Sequence, residues 1–159
     1  MNPQTTIKAA WATWAAIWLA LNFAPSYRTR EVADEQEYTA QAMALIGLVV
    51  LLGNFGPTFI RVPERLRGWL AWAVVAALGF SVWARLELGP NWSGVSVERV
   101  ETVTTGPYEL VKHPIYLGTG IAAFLTAPAL GNVSAGAGAA VLIVALAAKA
   151  FAEEENAPV

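Results

Sequence analysis

The sequence contains no cysteine and a single histidine, His113. Without thiols there is no disulfide, no thiolate nucleophile, no palmitoyl anchor and no cysteine metal site. One imidazole excludes a multi-histidine metal centre, so no metal is expected. Charge is scarce as well. Asp, Glu, Lys and Arg make up 14% of the 159 residues, against ~25% in an ordinary soluble domain. So little polar surface argues against a soluble enzyme and against a disordered chain. A formal charge of −2 leaves no basic footprint for nucleic acid.

What is present is apolar, 56% of the chain, and the charges are bunched. Asp, Glu, Lys and Arg are absent from Ala9–Tyr27 (19 residues), Tyr38–Ile60 (23), Gly68–Ala84 (17) and His113–Ala148 (36). A helix that spans a bilayer takes roughly 17–25 predominantly apolar residues. The first three runs supply one span each. The fourth is too long for one, and Pro128, Gly131 and Asn132 divide it into two. The expected fold is an all-α integral membrane protein, one domain over 1–159, with five transmembrane helices. They fall at about 7–26, 38–60, 66–86, 114–130 and 133–152, the last two forming a tight helical hairpin.

The first run is read as a true helix. Its flank holds only Lys8, and no small-x-small cleavage site follows it. Trp11, Trp14 and Trp18, at i, i+3 and i+7, share one face, expected to meet core or lipid. Ser134/Gly138 and Gly136/Ala140 are small-xxx-small pairs, expected to bring the last helix close to a neighbour.

Five spans put the N-terminus and the 61–67 loop on one side. The 25–37 segment, the 87–113 loop and the 153–159 tail lie on the other. Lys8, Arg61, Arg65 and Arg67 stand on the first side, and Arg28, Arg30, Arg85, Arg99, Lys112 and Lys149 on the second. That difference leaves orientation open. The loop and the tail flank the helical hairpin, so they can meet in space. The polar stretch at 28–37 reads as a solvated loop or short helix.

The loop ends in Thr104-Thr105-Gly106-Pro107-Tyr108-Glu109-Leu110-Val111-Lys112-His113-Pro114-Ile115-Tyr116. Gly106-Pro107 signals a turn. His113 precedes a proline and is driven towards extended backbone. Pro114 suits the first position of a helix, and the first-turn amides on Ile115 and Tyr116 then suit an anion. Two readings follow from the residues: a membrane-surface pocket with one imidazole and two phenols, or a capped helix start with interfacial aromatics. Lys149 and Glu153, at i and i+4, read in the same way as a solvated ion pair at a helix end.

One family fits these residues. Leu88-Gly89-Pro90-Asn91-Trp92-Ser93, followed by Gly106-Pro107-Tyr108-Glu109-Leu110-Val111-Lys112-His113-Pro114-Ile115-Tyr116-Leu117-Gly118, resembles the isoprenylcysteine carboxyl methyltransferases. The wider group includes phospholipid methyltransferases. Lys149 with Glu153-Glu154 resembles the family's basic residue and paired glutamates after the last span. The resemblance covers about Arg85 to Glu155. It implies a transmembrane methyltransferase whose cytosolic pocket binds S-adenosylmethionine. Carried over by residue, cofactor contacts fall on Val100, Glu101, Thr102, Val103, Tyr108, His113, Pro114, Ile115, Tyr116 and Glu153. The catalytic set implied is Lys149, Glu153 and His113.

The resemblance further implies a carboxylate acceptor on a prenylated or other lipophilic molecule drawn from the bilayer. It places the loop and tail in the cytosol, and the Ala-rich chain suggests a prokaryotic inner membrane. Two departures stand out: Lys112 and Lys149 occupy positions where arginine is usual, and lysine lacks the bidentate fork. Family members also continue past the glutamates with a Phe-Gly…Tyr…Arg-x-Pro segment, which the 153–159 tail does not contain. Other classes stay open: a methyltransferase for phospholipids or small lipophilic amines, a nicotinamide-dependent membrane reductase, and a non-catalytic membrane scaffold.

Overall fold

The computed structural model describes residues 2–21, 35–53, 55–92 and 103–155. Its elements are α1 (Pro3–Leu21), α2 (Glu35–Leu52), α3 (Glu64–Leu88), a 3-10 turn (Gly89–Asn91), α4 (Pro107–Leu110), α5 (Pro114–Leu130) and α6 (Val133–Glu155). The fold is all-helical. Among the described residues there is no strand, and the one bridge pairs Thr58 with Asn132.

Local chemistry sets the helix ends. Pro63 precedes α3, Glu64 lies in its first turn and Arg85 in its last, each charge opposing the nearby helix-dipole end. Pro114 opens α5 as expected, whereas His113 before it stands at φ −124° and ψ 65°, short of the extended backbone expected of a residue that precedes proline. Gly131 closes α5 in the left-handed region at φ 74°, where a β-carbon is disfavoured. One residue on, the Asn132 side chain accepts hydrogen bonds from the Ala135 amide (2.8 Å) and the Ser134 hydroxyl (2.7 Å) and so caps α6.

Several expected limits shift. The helix expected over 38–60 ends at Leu52. Gly53 and the Gly56-Pro57 pair break the helix there, and the following apolar residues run as an extended strap. That strap is tied to the α5–α6 junction: Phe59 and Ile60 amides donate to the Gly131 carbonyl (2.9 and 3.1 Å), and the Val133 amide donates to the Pro57 carbonyl (3.1 Å). The first helix begins at Pro3, four residues early, and the residues expected to close it lie outside the described ones. α3 runs on to Leu88, and the loop expected over 87–113 contains a 3-10 turn and α4. Glu153, expected in the tail, is helical because α6 continues to Glu155.

Two helices are long and apolar enough to cross a membrane, Glu64–Asn91 and Val133–Glu154, and two shorter apolar helices accompany them. The outward faces are apolar too, with Leu45, Val49, Trp69, Trp72, Phe124 and Val144 all exposed. An exposed apolar surface of that extent suits lipid rather than water.

The five long helices pack in the order α1, α3, α5, α6, α2, each mainly on the next. Small residues set the closest approaches. A β-carbon on Gly138 of α6 would lie 2.1 Å from the Leu51 backbone nitrogen of α2, and one on Gly118 of α5 would lie 2.8 Å from the Ala77 carbonyl of α3. The expected role of Gly138 in close packing is therefore seen, with Gly47 and Leu51 opposite it. The core between the rows holds Ile7, Trp11, Leu51, Val74, Leu78 and Leu142 with several alanines.

The tryptophan face of α1 turns inward at two of its three positions. Trp11 is buried and donates to the Thr126 hydroxyl of α5 at 3.0 Å. Trp14 donates to the Ser81 hydroxyl of α3 at 2.8 Å and stacks on Trp18 at 4.7 Å between centroids. Interhelical hydrogen bonds of this kind contribute about 0.6 kcal/mol in a membrane, at most ~1.7. Trp11→Phe keeps most of the ring volume and removes the donor. It is expected to lower the detergent unfolding midpoint slightly, by an amount in that range, read by denaturant titration. A larger loss would mean that indole packing outweighs the bond.

Candidate active site

Contacts along the row fix which ends face the same way. Gly118 meets Ala77 and Ser81, and Thr105 and Gly106, just ahead of α4 and α5, meet Glu87 at the end of α3, so α3 and α5 run antiparallel. Gly138 meets Leu51 and Gly47 meets Leu142, so α2 and α6 do as well. The C-terminal end of α3, the start of α5 and the end of α6 consequently gather at one end of the molecule. Sequence separation is thereby bridged: residues at 112–116 meet residues at 153–154.

At that end His113 sits between two carboxylates. Its Nδ1 lies 3.5 Å from Glu153 Oε2, and its Nε2 lies 3.2 Å from Glu154 Oε1. A neutral ring donates to one of these and a charged ring to both. The Tyr116 hydroxyl donates to Glu153 Oε1, and the Tyr116 ring lies nearly parallel to the imidazole, 15° between planes and 5.7 Å between centroids. Lys112 Nζ pairs with Glu154 Oε1 at 3.0 Å on the outer side.

Burial grades the cluster from inside to out. The Glu153 side chain is 17% exposed, His113 23% and Lys112 71%. Glu153 is thus the inner carboxylate. The Lys112–Glu154 pair is a solvated surface bridge, and such a bridge contributes little to stability.

The wall beside the cluster comes from α3 and α4. Arg85, in the last turn of α3, is 3% exposed. It donates to the Leu21 carbonyl at the end of α1 (3.0 Å) and to the Gly89 carbonyl (3.3 Å), and its guanidinium lies 4.1 Å from the centre of the Trp92 ring. Its Nε is buried and has no acceptor among the described residues. One arginine therefore fastens the ends of two helices to the 3-10 turn. Beyond it Thr105 donates to Glu87 at 2.6 Å, which anchors the start of the Gly106-Pro107 turn to α3.

The expected residues fall into three groups. His113, Pro114, Ile115, Tyr116 and Glu153 lie together at the start of α5, and Tyr108 stands half-buried in the adjoining α4. Lys149 lies one turn before Glu153 on α6, and Val103 begins the described part of the loop. Val100, Glu101 and Thr102 lie outside the described residues. Lys112 and Glu154 were not expected at the site. Their signal was adjacency: each neighbours an expected residue, and their opposite charges needed only the same topology to pair.

The arrangement belongs to a class: an all-helical membrane protein whose ionisable side chains converge at one end of the bundle. The sequence profile of the isoprenylcysteine carboxyl methyltransferase family matches residues 69–157, more than half of the chain. The chain belongs to that family, and the match takes in almost all of α3 as well as the loop and the last two helices. Membership implies a membrane methyltransferase. No curated protein and no solved structure matches the chain.

Proposed function

We propose that the chain transfers a methyl group from S-adenosylmethionine to the carboxylate of a prenylcysteine-like lipophilic acceptor at the cytosolic interface. The observation that carries this reading is the convergence of His113, Tyr116 and Glu153 at the start of α5, in a chain of this family. In this reading the five long helices all span the bilayer, α5 and α6 form a hairpin, and the cluster faces the cytoplasm.

The residues present fit the cofactor. An inner carboxylate suits hydroxyl and amino donors, two stacked rings suit an aromatic base or a cation, and the first turn of α5 suits a carboxylate. When bound, S-adenosylmethionine supplies a methyl group on a sulfonium, whose charge an anionic acceptor neutralises as the methyl moves. Glu153 accepts hydrogen bonds from the cofactor, and His113 and Tyr116 hold that carboxylate in place. Lys149, one turn deeper along α6, orients the acceptor carboxylate. An acceptor of this type is ionised at neutral pH, so the site requires no general base. The side chains act by positioning and by excluding water.

Calorimetric titration of S-adenosylhomocysteine into the detergent-purified chain tests the reading. Saturable binding is expected, weakened about tenfold or more in His113→Ala, the loss of one hydrogen bond to a charged group. A folded protein that takes up none overturns it.

A further inference from the structure

The end of the molecule opposite the His113 cluster carries a second arrangement, unconnected with methyl transfer. The strap after α2 leads through Arg61 and Pro63 into α3. On the first turns of α3, Arg65, Trp69 and Trp72 stand at i, i+4 and i+7 and share one face. All three are exposed, Trp69 at 75% and Trp72 at 63%. Phe55, Phe59 and Ile60 of the strap are exposed as well.

Charge on this end is one-sided. Glu64 is taken by Arg67 at 3.1 Å, and Arg67 also donates to the Val62 carbonyl at 3.3 Å. Arg61 and Arg65 have no carboxylate partner among the described residues. The order along the face is cation, then two indoles, then the apolar body of α3. With 25 residues α3 is about 37 Å long, enough to cross a ~30 Å hydrocarbon core and project at both ends. Indoles belong at the headgroup level, and arginines just beyond them reach phosphate oxygens.

We propose that Arg61 and Arg65, above the Trp69–Trp72 belt, form a binding surface for anionic phospholipid headgroups on the bilayer face opposite the His113 cluster. This rests on the membrane-spanning reading of α3. The partner is fixed by charge complementarity: two exposed guanidiniums without a counter-ion among the described residues, bordered by side chains suited to the interface. Zwitterionic headgroups present the same phosphate with a compensating ammonium, so the surface discriminates by net charge.

The test reconstitutes the full chain in phosphatidylcholine bilayers doped with spin-labelled phosphatidylglycerol or spin-labelled phosphatidylcholine, and measures the motionally restricted fraction of each. The wild type is expected to hold the anionic label preferentially, up to about fivefold per arginine at low salt, the fold-change that ~1 kcal/mol represents. Salt should reduce that preference. R61Q/R65Q should restrict both labels equally while restricting as much lipid in total. A preference unchanged in the double variant, or absent from the wild type, overturns the proposal. Restriction of neither label would overturn it by a different route, since the chain would then not be in the bilayer.

Discussion

Glu153→Ala is expected to cost cofactor affinity by about 10- to 100-fold, the range for losing hydrogen bonds to a charged group. The reason is its position. It is less exposed than His113, Glu154 and Lys112, and the Tyr116 hydroxyl and the His113 ring both address it. Lys149→Ala is expected to act differently, raising the acceptor KM about tenfold with little change in cofactor affinity, because it removes only acceptor binding. Titration with S-adenosylhomocysteine reads the first effect, and steady-state kinetics with a prenylated cysteine acceptor reads the second. Equal effects of both changes on both quantities would sink the division of roles. Tyr116→Phe separates recognition from scaffolding: it breaks the contact to Glu153 but leaves the carboxylate. If it matched Glu153→Ala in full, Glu153 would be holding α5 to α6 rather than binding cofactor.

The outer pair behaves as a contrast. Glu154 is held by Lys112 and His113 at the surface, where charges are screened and solvated. Adjacent glutamates on α6 therefore differ in surroundings because a helix turns 100° per residue. Glu153 faces the α5 start, and Glu154 faces the loop edge.

How much of this was legible in the sequence depends on whether the signal was local. Pro114 after His113 and Gly131-Asn132 after α5 are local punctuation, and both helix limits fall where they indicate. The convergence of His113 with Glu153 was legible through topology, since an even number of helix passes separates them. The end of α2 was not. Phe55, Phe59 and Ile60 are as apolar as the helix before them, so composition extends it to 60. What decides the matter is distant: Gly131 and Val133 supply the hydrogen-bond partners that make an extended strap satisfactory there. The depth of Arg85 was hidden for the same reason. An arginine at the end of a span reads as an interfacial charge, and only the fold shows the Leu21 and Gly89 carbonyls that receive it.

The close helix crossing yields the largest expected effect on stability. Gly138→Ala adds one methyl group, and its carbon would fall 2.1 Å from Leu51 N and 2.5 Å from Leu51 Cα. Both are backbone atoms of α2, so no side chain can rotate away. Relief requires α2 and α6 to part, which also loosens the reciprocal contact of Gly47 with Leu142. Overpacking typically costs 1–3 kcal/mol, and a backbone clash is expected at or above the top of that range, ~3 kcal/mol. Gly120→Ala is the matched control. It lies on α5 with nothing within 4 Å of its added carbon, so the same substitution should be neutral or stabilising by up to ~1 kcal/mol through helix propensity. Denaturant or thermal unfolding of both variants in one detergent reads the difference. Opposite signs follow from the packing order α6 on α2, whereas equal small effects would mean that the two helices are not in contact at Gly138. Because α6 carries Glu153 and Lys149, the crossing also sets where those side chains stand. A Gly138→Ala chain that still folds should therefore lose cofactor affinity without any change at the site itself.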